Sequence, residues 1–159
     1  MPECVSSLRA AVAHLSGKLE ICCDPWVLIG SAAMALQGVD IGLVDDIDVM
    51  MSPDDARRLL PACDGVICTG GVQGRFCSEV YFRFPVDAWR VEVMAGMNVR
   101  TQLGWEPVGM PNAVPHQIDG EFVNLPSLVA LAELCTKFGR PKDLVRRALI
   151  EAYLQGEKL

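Results

Sequence analysis

The segment Val44–Met50 constrains the fold more than any other part of the chain, because acidic and apolar side chains alternate along it. Asp46 and Asp48 are separated by one apolar residue, Ile47. Side chains two positions apart share one face of a β-strand, so the two carboxylates would lie on the same side, with Cα atoms about 7 Å apart. Asp45 would point to the opposite side. The pattern therefore predicts a strand with an acidic face.

Neighbouring carboxylates on an apolar strand predict a site for a divalent metal ion. Two adjacent anions raise the free energy of each other's ionisation unless a cation neutralises them. A third carboxylate, Glu92, belongs to a second strand-like segment, Arg90–Met94, and can be placed on the same patch. Because carboxylates are hard oxygen ligands, they favour Mg²⁺ or Mn²⁺. We therefore expect a divalent metal ion to bind between these acids.

The length and charge of the chain limit its organisation and its partners. With 159 residues, 51% of them hydrophobic, the chain can form one domain with a continuous core. Its formal charge of −6 argues against an extended nucleic-acid surface, since such surfaces use clustered Lys and Arg. A small anionic substrate bridged by metal remains compatible with this charge.

The seven cysteines and the N-terminal segment predict a cytoplasmic protein. There is no Cys-x-x-Cys pair, so the cysteines are expected to be reduced packing residues rather than disulfide or zinc partners. The first thirty residues lack the pattern of a signal peptide, and no run approaches the roughly 18 apolar residues that a membrane span requires. We therefore expect no membrane association.

Hydrophobic periodicity and turn residues predict a mixture of helices and strands. Helices are expected over 3–19, 31–37, 53–60, 127–138 and 142–154. Strands are expected over 26–29, 46–51, 66–69, 76–84 and 90–94. The dipeptide Asp119-Gly120 predicts a hairpin turn between 114–118 and 121–124, whereas the density of Gly, Pro and Asn over 95–115 predicts irregular structure. The predicted fold class is α+β, with a mixed β-sheet of about five strands flanked by helices, two of them C-terminal.

Gly30-Ser31 is predicted to form a turn between a buried strand and a helix. A glycine allows a phosphate to approach the backbone closely, and the N–H groups that begin the helix can donate to phosphate oxygens together with the Ser31 hydroxyl. Paired metals on carboxylates and a phosphate-binding turn are what phosphoryl and nucleotidyl transfer require. Ser31 could instead serve only as the N-cap of the helix, which uses the same geometry.

This combination resembles the nucleotidyltransferase superfamily of the polymerase beta type, and in particular its small, minimal bacterial members. These include relatives associated with antibiotic modification and with toxin and antitoxin pairs. The resemblance covers most of the chain, since the segments 75–79, 91–96 and 139–143 are also similar to those of such members. It implies a single nucleotidyltransferase-like domain over 1–159, with a core at about 24–95 and a C-terminal hairpin and helices at about 112–155.

The resemblance also implies a function and a set of site residues. Asp46 and Asp48 would be metal ligands and catalytic residues, and Glu92 would complete the metal shell or activate the acceptor hydroxyl. Gly30 and Ser31 would contact the nucleotide triphosphate. The expected reaction is the Mg²⁺- or Mn²⁺-dependent transfer of a nucleoside monophosphate from an NTP to an unknown acceptor. Arg75 is the predicted additional nucleotide-binding residue.

Two features keep other interpretations open. Relatives often carry Arg and Thr before the acidic pair, where this chain has Gly42 and Val44, and their third acid is commonly Asp. The alternative function is therefore a non-catalytic nucleotide-binding protein, or a toxin and antitoxin partner, that retains the fold. Glu92 could instead form an ion pair with Arg90 or Arg83 on the sheet surface. The acceptor is a small molecule or a protein, its pocket is expected from 96–115 and the last helices, and a second copy or a partner protein could complete it.

Overall fold

The computed structural model describes residues 2–68 and 74–157, which form helices packed on a six-stranded mixed β-sheet and a separate β-hairpin. The helices are α1 (Pro2–Lys18), α2 (Gly30–Leu36), α3 (Pro53–Ala62), α4 (Leu128–Phe138) and α5 (Pro141–Glu157), and a short 3₁₀ turn, Leu19–Ile21, follows α1. The strands are β1 (Val27–Ile29), β2 (Asp46–Met51), β3 (Val66–Ile67), β4 (Phe76–Val86), β5 (Trp89–Thr101), β6 (Gly104–Pro107), β7 (Ala113–Ile118) and β8 (Glu121–Pro126). The predicted α+β class is confirmed.

The sheet is built around β5, its longest strand. The strand order is β1-β2-β5-β4-β3, and β6 pairs with the far half of β5. Strands β2 and β5 run parallel, whereas every other pair in the sheet is antiparallel. This parallel pair determines the site, because it places two acidic segments that are distant in the sequence side by side.

One face of the sheet forms the main core. Its apolar side chains alternate with the polar side chains of the opposite face, as period-two strands require, and they are fully buried beneath α1 and α3: Ile47, Val49, Phe82, Val91 and Val93. Helix α3 begins where its sequence predicts. Ser52 caps α3 by accepting a hydrogen bond from the Asp55 N–H, and Pro53 occupies the first helical position.

The prediction of irregular structure over 95–115 is wrong for most of that segment. Strand β5 continues to Thr101, β6 follows a tight turn, and β7 begins at Ala113. Gly96 has a left-handed φ of 64°, yet the ladder resumes with Met97 opposite Ser78, so the glycine distorts the strand without ending it. Gly96 therefore indicates a local change in the geometry of β5 rather than the start of a loop.

The C-terminal elements follow their predicted boundaries closely. Asp119 and Gly120 have φ values of 48° and 86° and connect β7 to β8 in a two-residue turn, as expected. Helix α4 ends at Gly139 in the left-handed conformation, and α5 begins at Pro141. All seven cysteines are free thiols. In the ranges 2–68 and 74–157, no helix has both the length and the apolar character needed to span a membrane.

Candidate active site

A cavity of about 510 Å³ lies between the acidic face of the sheet and helices α2, α4 and α5. Its floor is polar, and its helical wall combines apolar and charged side chains. The floor and rim carry the acids Asp45, Asp46, Asp48 and Glu92 together with Gly30, Ser31 and Tyr81. The helical wall carries Leu131, Leu134, Phe138, Arg140, Lys142 and Arg146. All six predicted site residues, Arg75 included, therefore border one cavity.

The β2–β5 register brings the three predicted carboxylates together. Asp48 lies directly beside Glu92 on the neighbouring parallel strand, and Asp46 is two residues away on the same face of β2. On the other side, Asp48 is opposite Ile29, the last residue of β1. The end of β1 leads at once into Gly30 and α2, so the carboxylates lie beside the strand-to-helix turn.

Asp48 is the most strongly perturbed acid of the cavity. Burial, followed by the negative charges of Glu92 and Asp46, raises the pKa of Asp48 to about 7, while Arg146 and Lys142 act in the opposite direction. Within the described residues, its carboxylate accepts no hydrogen bond. A carboxylate that is repelled by its neighbours and lacks a donor has the electrostatic environment that a cation would relieve.

The other two acids have partners in the sheet. The Asp46 Oδ1 atom is 3.9 Å from Arg90 Nε, and the Glu92 Oε2 atom accepts a hydrogen bond of 3.2 Å from the Tyr81 hydroxyl. Burial and the charge of Glu92 raise the pKa of Tyr81, so the hydroxyl remains protonated and continues to donate. The proposed ion pair of Glu92 with Arg90 or Arg83 is not formed.

Gly30 is required at its position for two reasons. Its φ of 69° lies in the left-handed region, and a Cβ at this position would lie 2.7 Å from Asp48 Oδ2. The glycine therefore leaves room for the Asp48 carboxylate beside the turn. Ser31 is buried in the first turn of α2 and lines the cavity. The alternative role of Ser31 as the N-cap is wrong, because Ile29 occupies the N-cap position.

Comparison with known proteins relates this arrangement to solved structures. No protein-family model matches the sequence, and no curated protein matches it either. A candidate nucleotidyltransferase from Thermotoga maritima is 23% identical, with a TM-score of 0.69 over 98% of this chain and 95% of that one. The antibiotic-resistance factor ANT(2″)-Ia is 15% identical in its solution structure, with a TM-score of 0.55 over 99% of this chain and 88% of that one. Its crystal structure with adenylyl-2″-tobramycin gives 16% identity and a TM-score of 0.54 over 92% of this chain and 91% of that one.

This chain has the nucleotidyltransferase fold. The match to the Thermotoga maritima protein extends over 98% of this chain and confirms the fold that the sequence predicts. Within this nucleotidyltransferase fold, β2 and β5 supply the acids, and the turn from β1 to α2 supplies Gly30 and Ser31.

Arg75, the predicted nucleotide-binding residue, lines the same cavity of the nucleotidyltransferase fold. Its Nε atom donates to the carbonyl of Phe138, the last residue of α4, and its guanidinium lies against Gly139, where a Cβ would be 2.7 Å from it. Residues 69–73, which precede Arg75 and include the end of the predicted strand 66–69, lie outside the described residues. Arg75 therefore connects β4 to the C-terminus of α4.

The sequence did not predict the apolar part of the helical wall, which Leu131, Leu134 and Phe138 form. Phe76 and Phe138 pack edge to face with ring centroids 4.9 Å apart, and the Arg140 guanidinium lies 4.7 Å from the Phe76 ring. Arg140 also donates to both carboxylate oxygens of Asp143, which is buried. The apolar positions of α4 have helical spacing, which indicates a buried face but does not distinguish a core from a cavity wall. Of the segment 96–115 expected to form the acceptor pocket, only Met97 lines this cavity.

The acids of this nucleotidyltransferase fold suit a hard divalent cation by their chemistry. Three carboxylates on adjacent strands provide oxygen ligands, and burial, followed by repulsion from the other two acids, raises the pKa of Asp48. No group of three His, Cys, Asp or Glu side chains in the described ranges already has a metal-binding arrangement. Asp46 instead lies 3.9 Å from Arg90, and Glu92 accepts a hydrogen bond from Tyr81.

Proposed function

We propose that this protein is a metal-dependent nucleotidyltransferase that transfers a nucleoside monophosphate from an NTP to an acceptor hydroxyl. The observation that carries the proposal is the convergence of Asp46, Asp48 and Glu92 beside Gly30 in one cavity. The cavity of about 510 Å³ falls within the usual size range of small-ligand sites. Fold similarity to nucleotidyltransferases supports the same class of reaction.

The turn from β1 to α2 would bind the nucleotide phosphates. Gly30 has no side chain to obstruct a phosphate beside Asp48, and the buried Ser31 hydroxyl can donate to a phosphate oxygen. Arg75 lines the cavity and would contribute positive charge near the helical wall. These contacts would orient the α-phosphorus with respect to the acids on β2 and β5.

Asp46, Asp48 and Glu92 would hold Mg²⁺ or Mn²⁺. Such an ion supplies neutralisation of the polyphosphate charge and polarises the phosphate oxygens. The ionised carboxylate of Asp48 is the ligand with the greatest electrostatic need for a cation, because burial, followed by the charges of Glu92 and Asp46, raises its pKa to about 7.

Glu92 would also orient the acceptor hydroxyl or accept its proton. As the hydroxyl oxygen forms a bond to the α-phosphorus, the bond from that phosphorus to the β-bridging oxygen breaks, and pyrophosphate leaves with the electron pair. Tyr81 donates to Glu92 Oε2 and so restricts the rotation of the carboxylate. Oε1 accepts no hydrogen bond in the described part of the chain and can face the acceptor.

The alternative is a non-catalytic nucleotide-binding protein or a toxin and antitoxin partner. It is favoured by the ion pair of 3.9 Å between Asp46 and Arg90, which withdraws one acid from metal binding. A second copy or a partner protein that completes the acceptor site is a related hypothesis, which a measurement of mass in solution would test. Cytoplasmic localisation remains a prediction.

Incubation with labelled ATP, GTP, CTP and UTP, with Mg²⁺ or Mn²⁺, tests the proposal. We expect one nucleotide to release pyrophosphate and label an acceptor, and we expect Asp48→Asn to reduce the rate at least a hundredfold. Asp54→Asn is the matched control, because Asp54 is an exposed aspartate on α3 that does not line the cavity. Nucleotide binding without pyrophosphate release in the wild type would instead support the non-catalytic alternative.

A further inference from the structure

Four cationic side chains line the cavity, and their contacts divide them into two pairs. Arg75 donates to the carbonyl of Phe138, and Arg140 binds both carboxylate oxygens of Asp143. These two guanidinium groups are already engaged in connecting β4, α4 and α5. They stabilise the walls of the cavity rather than offering their full charge to a ligand.

Lys142 and Arg146 form the second pair. They are four residues apart on α5 and therefore project from the same face of the helix. Across residues 2–68 and 74–157, neither side chain forms a hydrogen bond or an ion pair. Arg146 is nevertheless partly buried. Two like charges at this spacing destabilise a helix slightly. The stability of α5 therefore does not explain why both side chains line the cavity.

This second pair and the acids of the sheet line the same cavity. Lys142 and Arg146 belong to its helical wall, and Asp46, Asp48 and Glu92 belong to its floor. The next residue, Arg147, is directed elsewhere, since it donates to Glu151 at 2.8 Å and to Thr136 at 2.9 Å. Adjacent arginines on one helix thus have different roles.

We propose that Lys142 and Arg146 bind the polyphosphate of the nucleotide from the helical wall, opposite the acids of β2 and β5. This inference deepens the proposed function and rests on it for the identity of the ligand. A polyphosphate is the ligand chemistry that fits, because it carries several charges along a short chain and accepts charge-assisted hydrogen bonds from both Lys and Arg. Helix α5 would then be a substrate-binding element.

Calorimetric titration of the full-length protein with ATP, ADP, AMP and inorganic tripolyphosphate, each with Mg²⁺, tests the inference. We expect the affinity of the wild type to rise from AMP to ATP. The double variant Lys142→Gln, Arg146→Gln should bind ATP and tripolyphosphate at least about tenfold more weakly, since hydrogen bonds to charged groups are lost. Its affinity for AMP should change less than about twofold.

Arg147→Gln is the matched control on the same helix. It should leave the ATP affinity unchanged and lower the unfolding temperature, because it loses the contacts with Glu151 and Thr136. The double variant should unfold within a few degrees of the wild type, because the repulsion between the two cations is relieved while their attraction to the acids of the cavity is lost. A double variant that unfolds normally and binds ATP and tripolyphosphate as the wild type does would overturn the inference.

The same titrations separate this inference from the proposed function. Polyphosphate binding that depends on the α5 pair, without pyrophosphate release by the wild type, would support the inference while the transferase proposal fails. Nucleotide transfer by the wild type, with undiminished ATP affinity in the double variant, would support the transferase proposal and contradict the inference about α5. A wild type that binds neither nucleotides nor tripolyphosphate would contradict both.

Discussion

Asp48 connects the chemistry of the cavity to the stability of the chain. In the folded state, burial and the charges of Glu92 and Asp46 raise its pKa from 3.8 to about 7. Between these two values the unfolded chain releases a proton that the folded chain retains. The contribution of Asp48 to the free energy of unfolding should therefore be most favourable below pH 4, decrease as the pH rises to about 7, and stay constant above that.

Asp48→Asn should remove this pH-dependent decrease in the free energy of unfolding. At pH 8 in the presence of EDTA, we expect the variant to be more stable than the wild type by about 1–3 kcal/mol, since a pKa difference of one unit corresponds to about 1.4 kcal/mol and residual hydration reduces the full effect. At pH 4 the two proteins should have nearly the same stability. Urea unfolding at both pH values measures the difference.

The exposed Asp45, next to the strand, supplies the control for this measurement. Asp45→Asn should change the free energy of unfolding by less than about 0.5 kcal/mol at either pH. A variant Asp48→Asn that is less stable than the wild type at pH 8 would show that the carboxylate has a stabilising partner, which contradicts the electrostatic account of the cavity.

At the scale of elements, the first turn of α3 stabilises the connection between α1 and β1. The Asp55 carboxylate is fully buried and accepts hydrogen bonds of 2.9 Å from the backbone N–H groups of Cys23 and Asp24. Burial raises the pKa of Asp55, but these hydrogen bonds, with further contributions from Ser52 and Arg58, outweigh it and hold the pKa below its ordinary value. The Asp55 carboxylate, in the first turn of α3, thus stabilises the loop at Cys23 and Asp24, which is distant in the sequence.

Asp55→Asn should lower the free energy of unfolding by about 2–4 kcal/mol at pH 7, because the loss of charge weakens two backbone hydrogen bonds in a buried site. Since the folded pKa is depressed, the stability from this group is present above about pH 4 and disappears as the pH falls through the folded value. The difference between variant and wild type in urea unfolding should therefore shrink toward pH 3.

Asp54→Asn is the neighbouring control for the role of Asp55. Asp54 is highly exposed and contacts only Arg57, at 3.3 Å, in the described part of the chain. Its substitution should cost less than about 0.5 kcal/mol. Equal effects of the two substitutions would mean that the charge of the first helical turn, and not the connection to Cys23 and Asp24, stabilises this region.

For the whole molecule, the cavity joins two structural layers. The sheet supplies its acidic floor and α4 and α5 supply its opposite wall, so a ligand that fills it must contact both layers. A ligand that binds only the folded state opposes every opening motion that separates its contacts. Nucleotide binding should therefore make local unfolding of both α5 and the sheet less frequent.

Hydrogen exchange followed by mass spectrometry tests this coupling. With saturating ATP and Mg²⁺, we expect exchange to slow at least about tenfold in the segments 46–51, 90–95 and 141–149. Helix α1, which packs on the opposite face of the sheet, should change much less. Asp48→Asn should eliminate the protection, whereas protection of the sheet without protection of α5 would contradict a ligand that spans both layers.

Several parts of the fold and of the site could be predicted from local sequence alone. Alternation of acidic and apolar residues identified β2 and its acidic face, and Ser52-Pro53 and Asp119-Gly120 located a helix start and a hairpin turn, because these patterns act through the backbone of their own segment. Strand β5 was predicted too short, since the density of Gly, Pro and Asn over 95–115 indicated irregular structure, although partners on both sides keep the strand paired.

Only the tertiary structure decided how these segments meet. The parallel register of β2 and β5 places Glu92 beside Asp48, and the folding of α5 over the sheet brings Arg146 to the cavity, although nothing in the helix itself distinguishes Arg146 from Arg147. Local sequence determines which side chains share a face, since backbone periodicity is a local property. The packing of one helix or strand face against another is determined by the burial of apolar surface between distant segments. That burial depends on the whole chain.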